Sequence, residues 1–269
     1  MIVEKDGFKF FQGDVDQTDC ILINDDNITS VSNYILAHKI RGIMLMGRYS
    51  RDDINFIEEF PWLETIIIQT TNYLKDITVL NRLPHLQSLW GDFCLNCKLE
   101  NSSIKYIGGD WSKNGFISDK CINLQYISIT KCKDFPLFFT QLINLPNLNH
   151  LSIIKGTLVK DCTFMKPMAK LEYLGLSYFT KLESLNGIEV LAPTLRYLEL
   201  DTGSKIYDHS HLKTLKKLEV LRITHKGIIK SLDFIQEMPM LKELVVVGPK
   251  LEDNNLSYCN HISTLRIWR

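Results

Sequence analysis

The sequence contains no run of eighteen or more apolar residues, which excludes an ordinary membrane-spanning helix. It also has no net charge, because 31 Lys and Arg balance 31 Asp and Glu. Nucleic acids and anionic membranes are recognised through a basic footprint, so neither is the expected partner. The first residues, Met1-Ile2-Val3-Glu4-Lys5-Asp6, lack the basic start and apolar stretch of a secretory leader. Seven cysteines, an odd number spread along the chain, read as free thiols in a reducing, cytoplasmic compartment. Only Cys94-x-x-Cys97 has ligand spacing, and no second pair answers it as in a zinc ribbon, so neither metal nor cofactor is expected. His209 and His211 flank Ser210 on a convex segment and read as solvated turn residues. Signatures of catalysis are missing as well: there is no Gly-x-Ser-x-Gly elbow, Walker loop, dinucleotide fingerprint or His-Glu-x-x-His helix.

What the chain has is a spacing. Leu or Ile, two residues, then Leu or Ile again recurs from Ile40/Ile43 through Leu63/Ile66, Leu86/Leu89, Ile104/Ile107, Leu124/Ile127, Leu148/Leu151, Leu171/Leu174, Leu195/Leu198, Leu218/Leu221 and Leu241/Leu244 to Ile262/Leu265. First members are 23, 23, 18, 20, 24, 23, 24, 23, 23 and 21 residues apart. A third apolar residue usually follows two positions later, as in Ile68, Ile153 and Leu200. Such a period means a solenoid, since one repeat cannot bury its own apolar face. Pro61, Pro84, Pro146, Pro193 and Pro239 each stand two residues before an anchor, where proline stops a helical turn and sets up an extended strand.

The L-x-x-L-x-L pattern resembles the leucine-rich repeat family over residues 18–269, with Cys94 and Cys132 at the family's ninth position. The resemblance implies an α/β solenoid, a horseshoe with a parallel concave sheet and convex short helices or 3₁₀ turns. Residues 1–17 read as an N-terminal β-hairpin cap turning at Asp6-Gly7, and 18–269 as about 11–12 repeats in one domain, the last strand at 262–267. Ser30 is expected to cap a helix over Val31 to Lys39, and Ser50-Arg51-Asp52-Asp53 to open another carrying Ile54, Ile57 and Phe60 on one face. The final strand would leave an open edge. The chain is expected to be a monomer, with a homodimer through that edge as the alternative.

In this architecture the residues between anchors point away from the core. Position three reads Tyr106, Tyr126, His150, Tyr173 and Tyr197 on five consecutive repeats, beside small residues at position five (Gly108, Ser128, Ser152, Gly175). An aromatic ridge along a shallow trough is expected. Trp90 and Glu199 also fall at position five, Asp92, Asp110 and Asp201 at position seven, and Tyr178 just past it. Gly91 and Gly109 replace the third anchor and are followed by Asp92-Phe93 and Asp110-Trp111, placing two aromatics beside two carboxylates. Three or four repeats stand between these carboxylates and Glu199 and Asp201, at about 4.8 Å per strand, too far for a concerted acid–base pair. The expected function is therefore non-enzymatic capture of a protein or peptide bearing basic residues, with Tyr and Trp as anchors. An immunity or antitoxin-type inhibitor of a toxin is the alternative, and the Ile-, Lys- and Asn-rich composition suggests a bacterial source.

Overall fold

The computed structural model describes residues 1–12, 18–72, 74–95, 98–111, 115–156, 158–203 and 205–268, the side chains of 92–95 excepted. It divides into two compact units, Met1–Ile127 and Ser128–Arg269. Among the described residues no helix is long and apolar enough to cross a membrane.

In the first unit, β1 (Ile2–Lys5) and β2 (Phe8–Gln12) form an antiparallel hairpin. Asp6 and Gly7 turn it with φ of 54° and 79°, the positive values that a two-residue hairpin turn requires. Residues 13–17 of the expected cap lie outside the described residues. Strand β2 pairs antiparallel with β3 (Asp19–Ile23), and parallel pairing then runs through β4 (Gly42–Gly47), β5 (Thr65–Thr70), β6 (Ser88–Leu95) and β8 (Tyr106–Trp111). A second, two-stranded ladder joins β7 (Lys98–Leu99) to β9 (Phe116–Ile117). Strand β10 (Tyr126–Thr130) falls at the division between the units.

The second unit continues the pattern with β11 (His150–Ile154), β12 (Tyr173–Ser177), β13 (Tyr197–Asp201), β14 (Val220–Thr224), β16 (Glu243–Val247) and β18 (Thr264–Trp268), each parallel and in register with the next. A short ladder of β15 (Ile228–Ile229) with β17 (Lys250–Leu251) accompanies it. In-register pairing is what the repeat period encodes. Leu151, Leu174, Leu198 and Leu221 pair in succession, and each is fully buried.

The anchors form the core. Of the 22, only Ile40, Ile262 and Leu265 escape full burial, and Leu265 on β18 is 39% exposed. Each buried Leu or Ile contributes about 1.5–3 kcal/mol from the apolar surface it withdraws from water. Asn101 is buried among them and donates to the carbonyls of Leu80 (2.7 Å) and Leu83 (2.8 Å), closing the end of a turn.

The connecting segments differ from expectation in detail. α1 spans Ile28–His38, starting three residues earlier than the expected Val31, and Ser30 lies inside it, its hydroxyl donating to Asn27 O. The segment after Ser50 is a 3₁₀ turn, Asn55–Glu59, rather than an α-helix. Asp53 folds back onto the Asn55 amide at 2.9 Å, and Ile54, Ile57 and Phe60 are buried together as expected. Single turns at Thr78–Arg82 and Asp233–Glu237 match the expected short convex segments. α2 (Phe135–Leu142) was not anticipated: Asp134 caps it by accepting from the Leu137 amide, Pro136 sits in its first turn, and it buries Phe135, Phe138, Phe139 and Leu142.

Candidate partner-binding surface

Stacking of equal repeat positions builds the second unit's open sheet face. His150, Tyr173 and Tyr197 pair in register on β11, β12 and β13. The His150 and Tyr173 rings are 3.8 Å apart at 6°, and those of Tyr173 and Tyr197 are 4.6 Å apart at 26°. The Tyr173 hydroxyl reaches one strand further and donates to Glu199 Oε2 at 2.9 Å. A Cβ at Gly175 would lie 3.2 Å from Tyr173 Cε1 and 3.3 Å from its hydroxyl oxygen. The ring therefore lies along its own strand over the glycine, and the space expected as a trough at that position is filled by Tyr173. Burial holds the His150 imidazole down to about 4, so the column is neutral at physiological pH.

Beyond Tyr197 the face turns polar. The Arg222 guanidinium lies 5.2 Å from the Tyr197 ring and pairs with Glu243 at 2.9 Å. The hydrogen bond that Arg222 donates to Glu243 raises the Arg222 pKa further, while burial raises that of the Tyr197 phenol. Arg222 had not been singled out, although its position-five place two strands after Gly175 was readable. Tyr178 is half exposed, in the left-handed region at φ 59°, and Asp201 is half-buried on β13.

In the first unit, Trp90 and Tyr126 are 5.5 Å apart and Tyr106 and Tyr126 6.4 Å. Trp90 also packs, with Phe11 and Leu22, against a buried cluster of Cys20, Met44 and Ile67. The signal for this cluster is Met44, Ile67 and Trp90 at position five of three successive repeats, an apolar row of which only Trp90 is named above.

Two expected contacts are withdrawn from the surface. Asp110 and Trp111 are only 7% and 6% exposed, so neither can meet a partner. The register between β6 and β8 shifts from Trp90↔Gly108 to Cys94↔Asp110, giving β6 two extra residues beside the buried pair. Asp92 and Phe93 lie on β6, but their side chains, like those of Cys94 and Cys97, are outside the described set. His209, expected in solvent, is buried at 4% exposure, and His211 lies 3.9 Å from both Asp208 and Glu189.

One edge of the second unit's face carries an ionic ladder at position two. Arg196 lies 3.6 Å from Glu172 and 2.5 Å from Glu219, which also holds Lys242 at 2.7 Å. These cations hold the Glu219 carboxyl below its ordinary range. Each exposed pair contributes little stability, but the ladder neutralises its own edge.

No family model matches the sequence, and no curated protein matches it. Among solved structures the chain is similar to the internalin InlF from Listeria monocytogenes strain 4b F2365, with TM-score 0.54 and 16% identity over 92% of this chain and 73% of that one. It is also similar to TLR13 in its complex with ssRNA13, with TM-score 0.53 and 15% identity over 91% of this chain and 38% of that one. Both are leucine-rich repeat proteins, and the likeness is one of fold.

Proposed function

We propose that this chain of leucine-rich repeat fold is a non-enzymatic module that captures a protein or peptide on the open sheet face of its second unit. The observation that carries the reading is the neutral, in-register column His150–Tyr173–Tyr197, with half-exposed Tyr178 just past the end of β12. Rigid aromatic surface already held in place loses little entropy on contact and suits the centre of an interface. Asp201 and Glu199 supply a small acidic complement for a basic group on the partner.

A toxin inhibitor acting by nucleic-acid mimicry would need a stronger acidic field than this face offers, since Arg222 already neutralises Glu243. An RNA partner of the kind in the TLR13 complex finds little electrostatic footing in a chain with zero formal charge. We also place the protein in the cytoplasm, where buried thiols such as Cys121 and Cys162 stay reduced.

The test is parallel capture from host lysate by wild type and by Tyr178→Ala and Tyr197→Ala, each first shown to unfold cooperatively. A protein retained by wild type and lost from both folded variants supports the assignment. An identical bound set from all three, or nothing bound to any, refutes it.

A further inference from the structure

The second unit buries two histidines that partner capture does not use. His209 precedes the 3₁₀ turn Ser210–Thr214, and His225 directly follows β14. They are 4% and 5% exposed. Their rings lie 6.0 Å apart at 13°, and His209 lies 6.3 Å from Phe234 at 16°, so three nearly parallel rings line up in the interior. Among the described residues, His209 Nε2 has no hydrogen-bond partner, and the His225 ring meets at most the Lys226 backbone. An imidazole so placed is costly when neutral and far more costly when charged.

The neighbouring charges do not reverse this. Asp201 on β13 acts on His225 and Asp208 acts on His209, both favouring the protonated ring. Asp208 is already engaged, accepting from the Ser210 amide at 2.9 Å and lying 3.9 Å from His211. Lys226, which follows His225, and Asp233, next to Phe234, are exposed. Burial outweighs the carboxylates and the Lys226 backbone: it holds His209 down to about 4 and His225 below its ordinary value, and a charge on His225 further opposes one on His209.

We propose that the His209–His225 pair is an acid-operated latch, closed while both rings are neutral and opened when protonation drives them out of the interior. The strands it loosens are β13 and β14, which carry Tyr197 and Arg222. Partner release on acidification then follows if the capture reading above holds; the opening itself does not depend on it. The sign follows from the direction of the shifts. The unfolded chain takes up protons near pH 6.5 while the folded chain refuses them until about 4, so stability is present above 6.5 and is lost as pH falls through that window.

The test is hydrogen exchange from pH 7.5 to 4.5, corrected for intrinsic rates, on wild type and on the double variant His209→Phe/His225→Phe. Phenylalanine keeps the ring stack and removes the titration. Wild-type protection over Tyr197–Thr224 should fall by up to about tenfold per pH unit for each histidine below 6.5, and the variant should keep its protection. His150 titrates alike in both proteins and cancels in the comparison. Equal loss in both overturns the latch. So does imidazole NMR of the wild type, which needs no variant to fold, if both rings titrate near 6.5 while protection stays constant.

Discussion

Replacing Gly91 with alanine should be among the most damaging single-methyl additions in the first unit. Gly91 takes the place of a third anchor on β6, pairs with Ile68 and has φ 132°. An added Cβ would stand 1.9 Å from Ile68 O and 2.6 Å from its carbonyl carbon. Carbon and oxygen tolerate no less than about 3.3 Å, so the two strands would have to part locally by more than an ångström. That separation forfeits about two buried backbone hydrogen bonds at ~1 kcal/mol each, and an L-residue at this φ adds ~1–3 kcal/mol. The sum, about 3–5 kcal/mol, belongs to the exceptional class of point mutations. Gly47→Ala is the control: φ is also positive at 78°, but nothing lies within 4 Å, so only a backbone penalty of about 1 kcal/mol applies. Urea unfolding followed by tryptophan fluorescence suits the comparison, since Trp62, Trp90 and Trp111 all lie in the first unit. If Gly91→Ala is no worse than Gly47→Ala, close approach of β5 to β6 is not why glycine stands there.

Tyr173→Ala should destabilise the second unit by about 2–3 kcal/mol, because two stacked pairs and a hydrogen bond to a carboxylate are lost together. Tyr173→Phe keeps the stacks and should cost about 1 kcal/mol or less in the same unfolding assay; equal losses would mean the hydroxyl dominates. Asp134→Ala should lower stability by about 1 kcal/mol through loss of the α2 cap, with Asp134→Asn close to wild type by thermal melting.

The spacing of Leu and Ile made the core legible, because in-register pairing places equal repeat positions on one face. The hairpin was legible for a different reason: Asp6-Gly7 offers the positive φ that its turn needs. The single 3₁₀ turns followed from segments too short for a stable α-helix, as at Thr78–Arg82. α2 starts inside a repeat, marked by Asp134 and Pro136, where the spacing of the strand anchors carries no helix signal. Asp110 and Trp111 are both buried, on successive residues of β8, where its pairing with β6 loses regular register, a local irregularity that strict alternation does not encode. The column from His150 to Tyr197 could be read as positions. That the Tyr173 ring lies over Gly175 depends on a side-chain rotamer, which the spacing does not encode. His209 looked like a turn residue, and its burial depends on His225 and Phe234, 16 and 25 residues further along.

The ladder Glu172–Arg196–Glu219–Lys242 gives the second unit a parity. Excising the repeat that carries Arg196 would join otherwise compatible strands but set Glu172 beside Glu219, both having lost a cation. Excising that repeat with the next brings Glu172 directly against Lys242 and restores opposite signs. Copy number along this stretch can therefore change smoothly only in twos, so that a chain built from near-identical single repeats is, at its charged edge, an array of dimeric modules.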